Sequence, residues 1–466
     1  MSTGDSSRAL SRDLRKILSP RQVLDSMEDR VVYAFDATTL QCLPDVVVKA
    51  GSARDVSAVL KLAGSLKVPV VPRGAGTGLS GGSVPDGGGI ALVLTGMRNI
   101  KEVDAENMVA VCEPGVITAD LKKAAEHRGL FYPPDPSSLN YSTIGGNIAE
   151  NAGGPHGIKY GVTKDYVMGL EVVLASGDIV RLGGKQVKNV TGYNLVQLFI
   201  GSEGTLGVIT EAILRLIPLP PARRTASAAF NRLEQAAETV TAILNSGIVP
   251  STLELMDQKS INYVEDFLGL GLSRHAEAML LIEVDGMDEA VTAEMSRIAR
   301  ICREMNAESF TIARHGAEAE QLRRARQAVS PAISRVRPTK IGEDICVPRS
   351  AIPAMVREIQ KIGERYGLPI VIFGHAGDGN LHPNILTDKR DHEEMLKVNR
   401  AIHDLFESAV RLGGTLSGEH GIGLTKKPYL KMDLSPETIN LMGSIKRTLD
   451  PLGILNPNKI FGGVSD

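Results

Sequence analysis

Residues 71–85 read VPRGAGTGLSGGSVP, and the hexapeptide GTGLSG inside them sets Gly76, Gly78 and Gly81 in the G-x-G-x-x-G order of a dinucleotide fingerprint. A nicotinamide-binding turn needs a strand before it and a helix starting within it, because the helix N-terminus supplies the amides and dipole that hold the pyrophosphate. The apolar VPVV at 68–71 gives the strand. The continuation GSVPDGGG denies the helix: Pro85 and the glycines around it cannot propagate one. No strand with a terminal acidic residue follows in the ribose-binding position either. The nicotinamide reading therefore fails. What remains is a run of Gly74, Gly76, Gly78, Gly81 and Gly82 with the hydroxyls of Thr77 and Ser80 and the cation of Arg73. Such a run either turns successive backbone N–H groups toward an anion as a nest or forms a plain surface turn.

Two more segments of similar character favour the nest. One is PPDPSSLNYSTIGGNIAENAGGPHGIKYG at 133–161, the other GSEGTLGVIT at 201–210. The first shows almost no regular periodicity, and an irregular stretch of that length in a compact domain is expected to wrap a ligand. Between these segments the pattern alternates. A helix is expected over 53–66, strands over 90–117, a helix at TADLKKAAEHRG, a hairpin about Ser176-Gly177, and a strand at GVITEAILRLIPLP. The proline-rich LIPLPPARR at 216–224 marks a domain boundary. Beyond it helices and strands alternate, as in an α+β domain, and the tail ILNPNKIF must pack on something else.

The whole-chain numbers bound the class. With 466 residues the chain is long enough for two domains, and a net charge of -2 with 43% hydrophobic and 23% charged residues excludes a basic nucleic-acid binder and a disordered chain. Cys42, Cys112, Cys302 and Cys346 lie far apart with no C-x-x-C spacing, so core thiols in a reducing compartment are expected rather than iron–sulfur or thiolate–zinc ligands. No membrane span or secretory signal is read, and MSTGDSSRAL is expected to open a short amphipathic helix of a cytoplasmic protein.

The C-terminal half carries IVIFGHAGDGNLHPNIL at 370–386 and LSGEHGIGLTKKP at 416–428. His375 and His382 are seven apart and would face opposite ways on a straight strand, but AGDGN permits a tight reversal that returns both imidazoles to one side. With Glu419 they make a workable divalent site, although histidines beside glycine-rich turns often only hydrogen-bond the backbone. His420, next in the chain, has the chemistry of a proton acceptor, or else is a core residue.

PRGAGTGLSGG, PPDPSS with TIGGNIAENAGGP, and GSEGTLGVIT together resemble the FAD-binding domain of the vanillyl-alcohol-oxidase, or PCMH-type, flavoproteins. With the histidine motifs, residues 40–461 resemble the group containing the glycolate oxidase FAD subunit and the D-lactate and D-2-hydroxyglutarate dehydrogenases. The resemblance implies an α+β fold: an N-terminal helical segment at 1–40, a PCMH-type two-subdomain FAD-binding domain at 41–220, a substrate-binding cap with a ferredoxin-like sheet at 221–424, and a C-terminal segment at 425–466 packing back. It implies that Arg73, Gly74, Ala75, Gly76, Thr77, Gly78, Leu79, Ser80, Gly81 and Gly82 bind the FAD pyrophosphate. It places Pro136, Ser137, Ser138, Thr143, Gly146, Asn147, Asn151, Gly153, Gly154, Ile209 and Asn456 around the rest of the cofactor. The loop offers no histidine or cysteine, so the flavin is expected to be non-covalent.

The same resemblance makes His375, His382 and Glu419 ligands of zinc, manganese or iron. It makes His420 the base, and Arg326, Ser330 and Asn380 substrate-binding residues. The hydroxyglutarate branch carries a lysine where this chain has Gly342. Lys340, two residues earlier, is not expected to replace it, so D-lactate or glycolate is favoured over a dicarboxylate. Electrons must leave through a partner, an iron–sulfur subunit or an electron-transferring flavoprotein, since the chain has no such ligands of its own. That partner could also bring the protein to a membrane, and a homodimer is compatible with the sequence. The competing readings are D-2-hydroxyglutarate dehydrogenase, an aryl-alcohol oxidase or ether-lipid synthase on the same fold, and a non-catalytic flavin subunit.

Overall fold

The computed structural model describes residues 3–461; the outermost parts of the expected 1–40 and 425–466 segments, residues 1–2 and 462–466, lie outside the described residues. Val46, Val47, Val48, Val70, Val71 and the whole of Ile90–Val93 are buried. Near-continuous apolar runs of this kind belong to strands covered on both faces. They form a sheet in the order Val23–Leu24, Val46–Lys49, Ile90–Val93, Val70–Arg73, in which the last three run parallel. The helix Ala53–Leu66 starts at Ser52, whose side chain accepts the Asp55 N–H. It lays Val56, Val59, Leu60 and Ala63 into one core with Leu10 and Leu14 of the helix Thr3–Ile17. At about 1.5–3 kcal/mol per buried aliphatic side chain, this stripe holds the helix far more firmly than its cap does.

Between the strand Val70–Arg73 and the strand Ile90–Val93 there are only turns and bends, so the helix that a nicotinamide site requires is absent. A second, antiparallel sheet runs Ile100–Asp104, Val109–Cys112, Val208–Arg215, Val167–Val173, Ile179–Gly183. Its last pair is the hairpin expected around Ser176-Gly177, with Val173 opposite Ile179.

The stretch read as irregular at 132–161 contains a helix, Ile144–Glu150, capped by the Thr143 hydroxyl. Gly145 and Gly146 hide it from any periodicity argument. Gly145 is needed because a Cβ there would lie 2.6 Å from Cβ of Pro114. The tail also finds its partner: Ile454 O accepts the Val70 N–H at 2.7 Å, and the Asn456 N–H returns to Val70 O at 2.8 Å. Lys446, 6% exposed, donates to Thr205 O, Leu455 O and the Asp450 carboxylate, fixing the turn before that pairing. Of the four cysteines, Cys112 and Cys302 are buried as expected, while Cys42 and Cys346 are half-buried.

The described chain divides into two compact units. One takes the residues up to Ala152, Val162–Leu219, and those from Glu419 on; the other takes Gly153–Gly161 and Pro220–Gly418. The second unit is built on an antiparallel sheet ordered Ser309–Ile312, Ala222–Phe230, Ala278–Gly286, Thr252–Asp257, Ile370–His375, Asn380–Thr387, Thr339–Gly342, with Ile345–Cys346 also paired to Asn380–Thr387. Thr252–Asp257 and Ile370–His375 are buried along their whole length, so both faces are covered. The helix Ile352–Tyr366 contributes Ile352, Met355, Val356, Ile359 and Ile362, spaced as one apolar stripe. Met256 and Phe373 pack with Ile261, Val264, Val329 and Ile333 of the helices Gln258–Leu268 and Val329–Ile333. Residues 153–161 join this unit through Asp285, which accepts Lys159 Nζ at 2.6 Å and the Tyr160 hydroxyl at 2.9 Å.

Candidate cofactor cradle and active-site cluster

In the first unit, the loop after Val70–Arg73 has an unusual hydrogen-bond account. Its carbonyls are used: Gly78 O accepts from Ala37, Ser80 O from Leu424 and Thr425, and Gly81 O from Val84. Among the described residues, no backbone N–H from Gly74 to Ser83 reaches an acceptor. Backbone donors are rarely left idle away from water, and successive idle amides in a turn make an anion cradle. Ser80 Oγ and Asn456 Oδ1 are also buried without a partner among the described residues. These orphaned groups fit a phosphate-bearing cofactor. Asn456, 2% exposed, donates through Nδ2 to Gly82 O at 2.9 Å and Glu203 O at 2.6 Å, and so ties the loop to the turn of GSEGT.

Arg73 also has a role within the protein itself. Its Nη1 donates to Phe35 O at 2.6 Å and its guanidinium lies over the Tyr33 ring, so it braces the loop from beneath. Thr143 caps Ile144–Glu150 near Gly146, Asn147 Nδ2 donates to Thr118 Oγ1, and Asn151 Oδ1 accepts the Lys164 N–H. Pro136 and Ser138 hold a turn through their carbonyls, and Ile209 is buried on Val208–Arg215. Gly153 and Gly154 stand in the second unit.

Two buried carboxyls back this cradle, and neither was singled out from the sequence. Glu203 accepts the N–H groups of Ile422 at 2.8 Å and Gly423 at 2.7 Å, fastening the backbone just beyond His420. Burial pushes its carboxyl up to about 7 against the pull of those two amides. Glu150 is likewise pushed well up, by burial first and then by the Glu203 and Asp36 charges. A carboxyl raised on folding contributes its stability below the unfolded value of about 4.5 and loses it as pH rises through about 7. For Glu203 this amounts to roughly 3 kcal/mol. The melting temperature should therefore fall between pH 5 and pH 7.5, and Glu203→Gln should flatten that dependence in differential scanning fluorimetry. An equally steep dependence in the variant would exclude Glu203 as its source.

In the second unit, the hairpin turns as expected. Phe373 pairs with His382 and His375 with Asn380, so His375 and His382 share a face, their ring centroids 5.1 Å apart. Both are buried, at 2% and 6% exposure. His375 Nδ1 meets Glu254 Oε1 at 2.6 Å, and His382 Nδ1 faces Asp344 Oδ1 at 3.6 Å. The Glu254 carboxylate behind Nδ1 orients the His375 ring, and the two histidines bring ligand atoms within 4.8 Å of each other, so this donor set fits a divalent ion. Glu254 carries a second partner, Arg326, whose Nε stands 2.6 Å from Oε2 as an ion pair rather than an aligned hydrogen bond. Burial would raise the Glu254 carboxyl, but its pairing with His375 and Arg326 outweighs that and holds the group below its ordinary value.

Arg326 is 7% exposed and stacks over Phe373 at 4.8 Å. Among the described residues its terminal nitrogens make no hydrogen bond, which leaves donors for a carboxylate. Asn380 spends both amide hydrogens on Asp344 Oδ1 and Ile345 O, so only its carbonyl is left for a ligand. Ser330 accepts a 2.6 Å hydrogen bond from Lys340 Nζ. The strand Thr339–Gly342 thus brings Lys340 to Ser330, four residues beyond Arg326. Glu419 and His420, both half-buried, begin the return of the chain to the first unit.

Comparisons with known proteins identify the family. Residues 219–460 match the family described as FAD linked oxidases, C-terminal domain, and residues 44–183 match the FAD binding domain family. The chain belongs to the FAD-linked oxidases; it is a flavin-dependent oxidoreductase. It is 48% identical to glycolate oxidase subunit GlcD of Bacillus subtilis, over 97% of this chain and 96% of the relative. It is 38% identical to D-lactate dehydrogenase of Archaeoglobus fulgidus over 92% and 95%, and 35% identical to D-2-hydroxyglutarate dehydrogenase of Stutzerimonas stutzeri over 97% and 99%. The solved structure of p-cresol methylhydroxylase superposes with a TM-score of 0.82 at 16% identity, covering 98% of this chain and 97% of that one. The expected PCMH-type α+β fold is therefore the fold observed. No helix among the described residues is long and apolar enough to cross a membrane.

Proposed function

We propose that this protein oxidises a D-2-hydroxy acid, D-lactate or glycolate, to the 2-oxo acid. The observation that carries this reading is the second unit's grouping of Arg326 with His375 and His382, both histidines buried with ring centroids 5.1 Å apart, a set whose chemistry suits a carboxylate grip beside a divalent ion. A 2-hydroxy acid presents those two needs on adjacent carbons. In this reading Arg326 binds the substrate carboxylate through its terminal nitrogens. His375 and His382 hold a divalent ion through Nε2, with Glu419, the residue after the last of the second unit, as third ligand. Such an ion, when bound, draws electron density from the hydroxyl oxygen. His420 accepts the hydroxyl proton at a ring nitrogen. FAD, when bound, accepts the α-hydrogen with its two electrons.

The names of the relatives support this substrate class, and the glycolate oxidase relative's being a subunit supports an electron-accepting partner protein. The test is anaerobic bleaching of the yellow protein. D-lactate or glycolate should bleach it and an added chelator should slow the reaction, whereas an aryl alcohol should leave it yellow. Bleaching by the aryl alcohol alone would overturn the reading.

Lys340 favours a second reading, D-2-hydroxyglutarate, because its ammonium at Ser330 offers a cation to a distal carboxylate. If that holds, D-2-hydroxyglutarate bleaches best, and Lys340→Ala raises its KM about tenfold or more while leaving that of D-lactate within twofold.

A further inference from the structure

The strand Thr252–Asp257 lies at the centre of the second unit's sheet, and Glu254 on it is 0% exposed. Its neighbours are set by register: Leu255 pairs with Gly374, so the next step brings Glu254 opposite His375. A buried carboxylate is costly unless each oxygen is matched. Here one oxygen takes His375 Nδ1 at 2.6 Å and the other faces Arg326 Nε at 2.6 Å. For stability alone, an apolar set of similar volume serves as well. What the charged set adds is orientation.

With Nδ1 donating to Glu254, the His375 proton is fixed on that nitrogen and the lone pair sits on Nε2. With Nε in ion-pair contact with the same carboxylate at 2.6 Å and the Phe373 ring 4.8 Å from its guanidinium, Arg326 is confined between charge and ring. We propose that Glu254 is a positioning residue that locks the carboxylate-binding arginine and the metal-binding histidine to one another, so that a single carboxylate sets both the substrate grip and the metal grip. This rests on the roles given above to Arg326 and His375.

The test compares the wild-type holoprotein with Glu254→Gln and Glu254→Asp. Glutamine has one acceptor oxygen and no charge, so it cannot serve both partners. In E254Q the KM for D-lactate should rise tenfold or more, while that for methyl D-lactate, which lacks the carboxylate charge, stays within twofold. The dissociation constant for zinc, read by competition with a chromophoric chelator, should rise about 10- to 100-fold. E254D keeps the charge but is one methylene short, and should recover part of both losses. If E254Q loses its FAD or its cooperative melting, E254D decides, with intermediate losses expected in both readouts. A folded variant in which both readouts stay within twofold of wild type overturns the proposal, as does a loss confined to one of them. Wild-type protein that neither binds zinc nor is bleached by a 2-hydroxy acid would instead overturn the functional reading beneath it.

Discussion

Replacing His420 with alanine should slow anaerobic reduction of the flavin by D-lactate by about 10²- to 10⁴-fold, the range that general-base catalysis supplies. FAD content should not change, and the substrate KM should move by no more than a few-fold, because the proposed carboxylate grip is Arg326. The backbone gives reason to place the base here. Two residues beyond His420 the chain is clamped, with the N–H groups of Ile422 and Gly423 on the Glu203 carboxylate at 2.8 and 2.7 Å. An imidazole on a fixed support and half-open to its surroundings can approach a substrate hydroxyl without first being ordered. Stopped-flow bleaching at 450 nm reads the step directly. A rate within tenfold of wild type would remove His420 from the role of base.

Gly76→Val should yield a colourless protein whose FAD affinity is lowered by more than about 100-fold, a loss of nearly 3 kcal/mol. Gly76 has φ +74°, where a β-branched residue is strained by at least about 1–2 kcal/mol. A Cβ there would also collide with the Arg73 guanidinium. Arg73 has little room to yield, being 6% exposed and bonded to Phe35 O. Relieving the collision means moving the loop, and the loop carries the idle amides. The ratio of flavin to protein absorbance after desalting measures the effect, and far-ultraviolet circular dichroism shows that the sheets persist. A G76V protein that stays fully yellow would remove the loop as the pyrophosphate cradle.

Several parts of this site could be read from one sequence because their signals are local. GTGLSGG followed by Pro85 forbids a helix within a few residues, whatever the rest of the chain does. AGDGN likewise reverses a strand by itself and puts His375 and His382 on one side. Glu254 was not legible. In TLELMD it looks like the polar member of an alternating strand, and only pairing with Ile370–His375, over a hundred residues on, buries it between a histidine and an arginine. The helix Ile144–Glu150 is hidden for a different reason: its Gly145 answers to Pro114 rather than to helical propensity. The contact of Lys340 with Ser330 is not legible either, because it depends on the pairing of Thr339–Gly342 with Asn380–Thr387. Where a charge ends up depends on its neighbours across the sheet, and those neighbours are far away in sequence.

The bond from Asn456 to Gly82 O also fixes an order of events during synthesis. The glycine loop leaves the ribosome early, but the strand partner of Val70 and the asparagine that secures the loop come more than 370 residues later. Until then the row of amides has no finished wall around it, and the intervening unit must already have been made. Securing of the glycine loop is thereby postponed until residue 456 has been made, and a chain cut short before it would carry Arg326, His375, His382 and His420 yet lack that anchor for the flavin cradle.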